Sequence, residues 1–407
     1  MKRLFLSSLA MVAILATSCS SDDDAPTSKP DEPVKDGVIA SQDDPDLDVA
    51  ALKGDITSNI TLVASKEWTL TGALAVKDGA TLTIEAGTTI KATAGGTNVY
   101  IVVEQGGKIM ADGTATAPIK ITSAAGNPRA GDWGGLLING KAPISGGGTS
   151  TTEVLPLQYG GTEATDNSGV LNYVVVEYTG ARINGEKEFN GITLYGVGSG
   201  TKISNIAALY GDDDAIEFFG GTVDVTNALM VDARDDLFDW TQGWTGKGSN
   251  WYGLRTADFT AISEDPRGIE GDGNLDGNSP ADTGQSNVTI DKLTLVNAGT
   301  IQFADMIKIR RGSNATITNA LVALVGGDAT ASDFVDLTDK RGYASNDISI
   351  TVTGANIDIT DIKQDATEEG TDIPANTGTV TATAGTTGGA DSSVFTWTGF
   401  SGFPTIE

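Results

Sequence analysis

Two acidic pairs, Asp213-Asp214 and Asp235-Asp236, stand 22 residues apart inside a longer repeated stretch. Ile203-Ser-Asn205-Ile-Ala-Ala-Leu209 recurs as Val225-Thr-Asn227-Ala-Leu-Met-Val231, and the register continues from Ile216-Glu217-Phe218 to Phe238-Asp239-Trp240. If each unit is one turn of a stacked structure, the aspartates line up along one edge. Like charges at the ~4.8 Å spacing of neighbouring strands repel by about 3.5 kcal/mol at an effective dielectric of 20. A hard divalent cation such as calcium would neutralise Asp213, Asp214, Asp235 and Asp236, because it prefers carboxylate oxygens. Arg234, Arg255 and Arg267 could do the same. The competing use of these aspartates is to cap backbone amides in solvated turns.

A second calcium candidate is Asp272-Gly-Asn274-Leu-Asp276-Gly277-Asn278, with oxygen side chains at the first, third and fifth places before a glycine. The closing bidentate Glu of an EF-hand loop is missing, since Thr283 holds that place. Aromatic residues crowd the same region: Trp240, Trp244, Trp251 and Tyr252. Gly, Thr, Ser and Asn surround Trp244 and Trp251, so these rings are expected to form a ligand-binding platform that stacks on sugars. Loops packed back onto the body are the alternative.

Composition removes whole classes of chemistry. With no histidine among 407 residues, Ser-His-Asp and Cys-His catalysis and His-ligated metals are excluded. A single cysteine excludes internal disulfides and Cys-rich metal sites. A formal net charge of −28 argues against nucleic acid as a partner, because phosphate binding needs clustered Lys and Arg.

The elements that must position these residues are short strands. Glu85-Ala-Gly87-Thr-Thr-Ile90-Lys-Ala92 recurs as Glu104-Gln-Gly106-Gly-Lys-Ile109-Met-Ala111, at an offset of 19. Between such matches the segments alternate, are rich in Val, Ile and Thr, and break at Gly and Asn, with no sustained helical period. The 52 glycines fit many tight turns. Short strands recurring every 19–22 residues predict an all-β parallel β-helix over 46–407, each turn covering the apolar face of the next. Asn205 and Asn227, one period apart, are expected to stack their amides as a ladder.

Several landmarks carry a family resemblance. Gly131-Asp-Trp133-Gly-Gly-Leu-Leu-Ile-Asn-Gly140-Lys-Ala-Pro143-Ile144 is the first. Tyr159-Gly-Gly161 with Asn167-Ser-Gly169-Val-Leu171 follows, then Glu217-Phe-Phe-Gly-Gly-Thr222, Gly268-Ile269-Glu270 and Ile309-Arg310-Arg311. Their order over residues 68–325 resembles a group of right-handed β-helix lipoproteins of Bacteroidota. The resemblance implies a right-handed solenoid in the cell envelope and brings no defined activity.

The N-terminus agrees with that address. Residues 1–18 read as a signal peptide, with Lys2 and Arg3 before a short apolar run from Leu4 to Leu15. Cys19 follows at once, in the place where a bacterial lipoprotein is cleaved and acylated. Residues 19–45 read as an acidic, proline-containing tether, and Ser21-Asp22-Asp23-Asp24 resembles a surface-export signal. The expectation is an outer-membrane lipoprotein, anchored in lipid through Cys19 and facing the cell exterior.

The function expected from the sequence is binding or scaffolding, with a glycan or an envelope or transporter protein as partner and calcium as the implied cofactor. The rival is a calcium-dependent polysaccharide lyase, for which Arg234, Arg255, Lys308 and Arg310 are nominal bases. No spacing selects one of them, and the missing histidine excludes the hydrolase arrangement that Gly211-Asp-Asp213-Asp214 superficially resembles.

Overall fold

The backbone winds by stacking short parallel strands whose hydrogen bonds run from one coil to the next. The computed structural model describes residues 37–184, 187–274, 283–365 and 374–407. Among them, 25 strands form one continuous sheet wound around a single interior, a right-handed parallel β-helix. Among the described strands, the hairpin Ser150–Thr151 with Gln158–Tyr159 forms a separate antiparallel pair.

Three faces alternate along each coil. Two of them often belong to one long strand, bent at a single residue in the left-handed region: Asn205 (φ 49°), Asn227 (φ 56°), Asn250 (φ 59°) and Asn319 (φ 52°). Asn occupies these corners because its short polar side chain tolerates that conformation better than most residues do. The corner amides form the expected ladder. Asn227 Nδ2 donates to Asn205 Oδ1 at 2.9 Å, and Asn250 Nδ2 donates to Asn227 Oδ1 at 3.0 Å.

The third face is built from shorter strands, including Leu136–Asn139, Ile192–Tyr195, Ile216–Phe219, Phe238–Thr241, Arg267–Asp272, Phe303–Arg310 and Ala331–Asp336. Here the coils lengthen beyond the expected 19–22 residues. Asp214 and Asp236 are 22 apart, but Asp236 to Arg267 takes 31 residues and Arg267 to Asp305 takes 38. Some of the added residues leave the coil as a loop around 256–266, and the stretch between Asp272 and Asn287 includes residues 275–282, outside the described residues, so a strict repeat could not be followed through either. The solenoid also begins before the expected boundary at 46, since Val38–Ile39 already pairs with Asp55–Ile56.

The interior corrects the aromatic platform. Trp240, Trp244 and Trp251 are fully buried. Trp244 stacks on Phe218 (4.0 Å between centroids, 18° between planes), and Trp251 stacks on Phe238 (4.7 Å, 13°). Each indole N–H finds an acceptor inside: Val223 O for Trp244, Val225 O for Trp251 and Ser313 Oγ for Trp240, each at 3.0 Å. The small neighbours that suggested exposure serve instead to admit the rings. A Cβ on Gly246 would stand 2.5 Å from Trp244 Nε1, and one on Gly248 would stand 2.6 Å from Trp251 Cε2. Tyr252 points outward but is covered too. Residues after the 3₁₀ helix Ser392–Thr398 fold over that face, and Phe403 meets the Tyr252 ring edge-on at 5.1 Å.

Candidate functional site

Strand alternation decides which side chains leave the core. In Ile216–Phe219 and Phe238–Thr241, Ile216, Phe218, Phe238 and Trp240 are buried inside, which turns Glu217 and Asp239 outward. Glu270 and Lys308 sit the same way between Ile269 and Gly271 and between Ile307 and Ile309. The register then stacks Glu217, Asp239, Glu270, Lys308, Asp336 and Lys363 in one column, one residue per coil. Its first three members are all acidic, whereas acid and base alternate afterwards.

The turns entering these strands bring the expected aspartates alongside. Asp214 Oδ1 accepts the Asp236 backbone N–H at 2.8 Å, and Asp236 Oδ1 accepts that of Arg267 at 2.5 Å. The amide-capping role is therefore real for one oxygen of each. Asp213, Asp214, Asp235 and Asp236 also line one cleft of about 250 Å³ with Glu217, Asp239, Glu270, Glu153, Glu188 and Asp265; its cations are Arg267 and Arg310. Carboxylate oxygens lie within 4.8 Å of one another in the sets Asp213/Asp214/Asp235, Asp214/Glu217/Asp239 and Asp236/Asp239/Glu270. Asp235 Oδ1 and Asp239 Oδ1 are shut off from solvent without a hydrogen-bond partner. Burial first, and neighbouring carboxylates second, push the carboxyls of Asp213, Asp214, Glu217, Asp236 and Asp239 well above the ordinary range. Such a group of hard oxygen donors, with no nitrogen or sulfur ligand, suits calcium.

A second cavity, of about 630 Å³, adjoins the first and shares Glu153, Glu217, Asp239, Glu270 and Arg310 with it. Phe219, Thr241 and Tyr159 contribute to its lining, and the hairpin of residues 150–159 forms a wall. Phe219 stacks on Tyr195 at 4.4 Å, while the Tyr159 hydroxyl donates to Gln242 Oε1.

On the C-terminal side the acids of these strands are paired with cations. Arg267 bonds Asp305 and Asp265 at 2.9 and 2.8 Å and also pairs with Glu270. Arg310 bonds Asp272 at 2.7 Å and pairs with Glu270 as well; Arg311 bonds Asp272 at 2.5 Å. Burial disfavours the charge on Arg267 and Arg310, but Glu270 and the aspartates outweigh it and hold both guanidiniums above their ordinary value. Neither is suited to take up a proton. Lys308, another nominal base, bonds Asp336 at 2.6 Å.

The remaining expected residues fall elsewhere. Asp272 ends a strand on the sheet face and is engaged by Arg310 and Arg311, while residues 275–282 of the expected calcium loop lie outside the described residues. Asn274 is buried, and Asp276 lies outside the described residues, as does Cys19. Arg234 approaches Asp212 at 3.8 Å without lining the cleft. Arg255 is fully buried between the rings of Phe259 and Phe303 (4.8 and 4.2 Å), and its Nη2 donates to Arg234 O and Asp235 O at 2.9 Å. It braces the turn behind the acids and does not face a ligand. Glu217, Asp239 and Glu270 were missed as site residues, although a charge between two apolar residues in successive coils is their signature. Nothing local marks Glu153 or Glu188, which arrive on loops.

The family model for the pectate-lyase-like β-helix domain matches residues 54–401. No curated protein matches the chain. No solved structure matches it either.

Proposed function

Because the chain belongs to the family of pectate-lyase-like β-helix domains, we propose that it is a binding module that holds calcium in the acidic cleft and presents it to a glycan. Asp213, Asp214, Glu217, Asp235, Asp236 and Asp239 would hold the ion. The observation that carries this reading is the pair of buried, partnerless oxygens, Asp235 Oδ1 and Asp239 Oδ1, in a cleft whose ten acids face two arginines. Leaving such atoms unmatched is costly, and a cation contacted by several carboxylates removes that cost. Bound calcium supplies a Lewis-acidic point that sugar hydroxyls or carboxylates can complete. The adjoining cavity gives a saccharide room beside Phe219 and Thr241. The N-terminal reading completes the proposal: an outer-membrane lipoprotein tethered through Cys19, with its solenoid facing the exterior.

Family membership favours a second reading, a calcium-dependent lyase. Against it stand Arg267 and Arg310, the two cations of the cleft, both held charged by carboxylates, so neither is ready to abstract a proton. A glycan array probed with calcium and with chelator tests the binding reading, which expects retention only with calcium. Uronate polymers incubated with the protein and calcium test the other. Ultraviolet absorbance from an unsaturated product, lost on Arg310→Ala, would establish the lyase and defeat the binder.

A further inference from the structure

The three carboxylate sets of the cleft are not separate. Asp214 belongs to the first and second, and Asp239 belongs to the second and third. Within each set the oxygens are no more than 4.8 Å apart, a span that one ion with Ca–O distances of ~2.3–2.6 Å can bridge. A carboxylate has two oxygens, so Asp214 and Asp239 can each serve two neighbouring ions. On the calcium reading above, we propose that the cleft holds a row of at least two divalent cations, with Asp214 or Asp239 as the bridging ligand between neighbours.

Charge and unmatched oxygens both support a row over a single ion. The cleft has ten acids against Arg267 and Arg310, and both arginines are already shared with Asp305 and Asp272 outside it. One divalent ion would leave most of that excess in place. Asn190 is an independent sign. Only 3 % exposed, it donates through Nδ2 to Glu217 Oε2 at 2.5 Å, while its buried Oδ1 has no partner. A neutral hard oxygen thus stands unused beside the middle set, and Asp239 Oδ1 is unused where the middle and last sets meet. The same fold supplies a contrast. Asp305, Asp333 and Asp336 also bring their oxygens within 4.8 Å, yet each is bonded to a cation: Arg267 (2.9 Å), shared with the cleft, Lys363 (2.7 Å) and Lys308 (2.6 Å). The carboxylates of this set are thus already engaged by bases, unlike Glu217 and Asp239.

The experiment counts ions. Equilibrium dialysis of the full chain against calcium is expected to give two or more ions per chain, with at least one lost in Asp239→Asn or in Asp214→Asn. Asp276→Asn serves as the control for an ion at the Asp272–Asn278 motif read from the sequence and is expected to leave at least two. Circular dichroism and melting of each variant check that it is folded. In a chain loaded with mixed terbium and europium, energy transfer between the two lanthanides is expected, as ions sharing a carboxylate lie close together. No bound calcium would remove the calcium reading and this inference together. One ion per chain would keep the reading and overturn the row. Two or more ions unaffected by Asp214→Asn and Asp239→Asn, or without energy transfer, would overturn it as well.

Discussion

Glu217 and Asp239 stand directly opposite one another on adjacent parallel strands, and neither has an ion-pair partner among the described residues. At the strand spacing of ~4.8 Å the two carboxylates, when both ionised, repel by about 3.5 kcal/mol at an effective dielectric of 20. Burial and the neighbouring acids relieve that load by raising both carboxyls well above the ordinary range. Coil stacking brings this pair together and the cleft around it adds further carboxylates, so ionising these coils loads the fold electrostatically.

Calcium should relieve that load. A ligand that binds only the folded state stabilises by about 2.7 kcal/mol at a hundred times its dissociation constant. Melting followed by circular dichroism is expected to shift upward with calcium and return on chelation. Identical curves in both conditions would leave the aspartates as turn caps alone.

The pH dependence follows from the raised cleft carboxyls. Asp213, Asp214, Glu217, Asp236 and Asp239 keep their protons in the folded state at pH values where the unfolded chain has released them. The folded state then binds more protons, so without calcium their contribution to stability falls as pH rises above about 4. Calcium affinity should rise over the same range, because ion and protons compete for the same oxygens. Melting against pH in chelator measures the first effect; a cleft contribution that grew with pH would contradict it. Comparison with Asp239→Asn isolates the cleft from the other titrating groups.

Trp244→Ala and Trp251→Ala should each destabilise by about 3–5 kcal/mol, as cavity-forming core substitutions do. Urea unfolding measures the cost. Variants that remain folded should retain glycan as well as the parent; selective loss of retention at full stability would restore these rings to the binding face.

Arg255→Met removes a positive charge from behind the cleft and leaves the carbonyls of Arg234 and Asp235 without their donor. Stability should fall by about 1–3 kcal/mol for those unmet groups. Calcium affinity should rise, because Arg255 lies within electrostatic reach of Asp236 and Asp235. Titration calorimetry reads the sign, and weaker calcium binding in a folded variant would reduce Arg255 to a brace alone.

Cys19→Ser should move the protein from the membrane fraction to the soluble one, since stable anchoring depends on the acyl chains. Protease added to intact cells should degrade the parent protein. Resistance to it would reassign the solenoid to the periplasmic side.

Periodicity alone was enough for the solenoid and its asparagine ladder. A repeat of alternating strands can bury its apolar residues only against another copy of itself, and Asn205 and Asn227 fall at the same place in that repeat. The acidic edge was legible for the same reason, since Asp213-Asp214 and Asp235-Asp236 are in register. What the sequence could not convey is which direction a bulky ring faces when glycines flank it. Gly246 and Gly248 look like exposed loop residues in a string, yet they make room for Trp244 and Trp251 inside. Nor could it join Glu153, Glu188 and Asp265 to the cleft, because they reach it on loops of irregular length. The partners of Asp272 were hidden too, since Arg310 and Arg311 lie 38 and 39 residues away along the chain. Local pattern determines how each strand alternates. Only the stacking of coils decides which charges meet, because charge–charge energy depends on distance in space and not on separation along the chain.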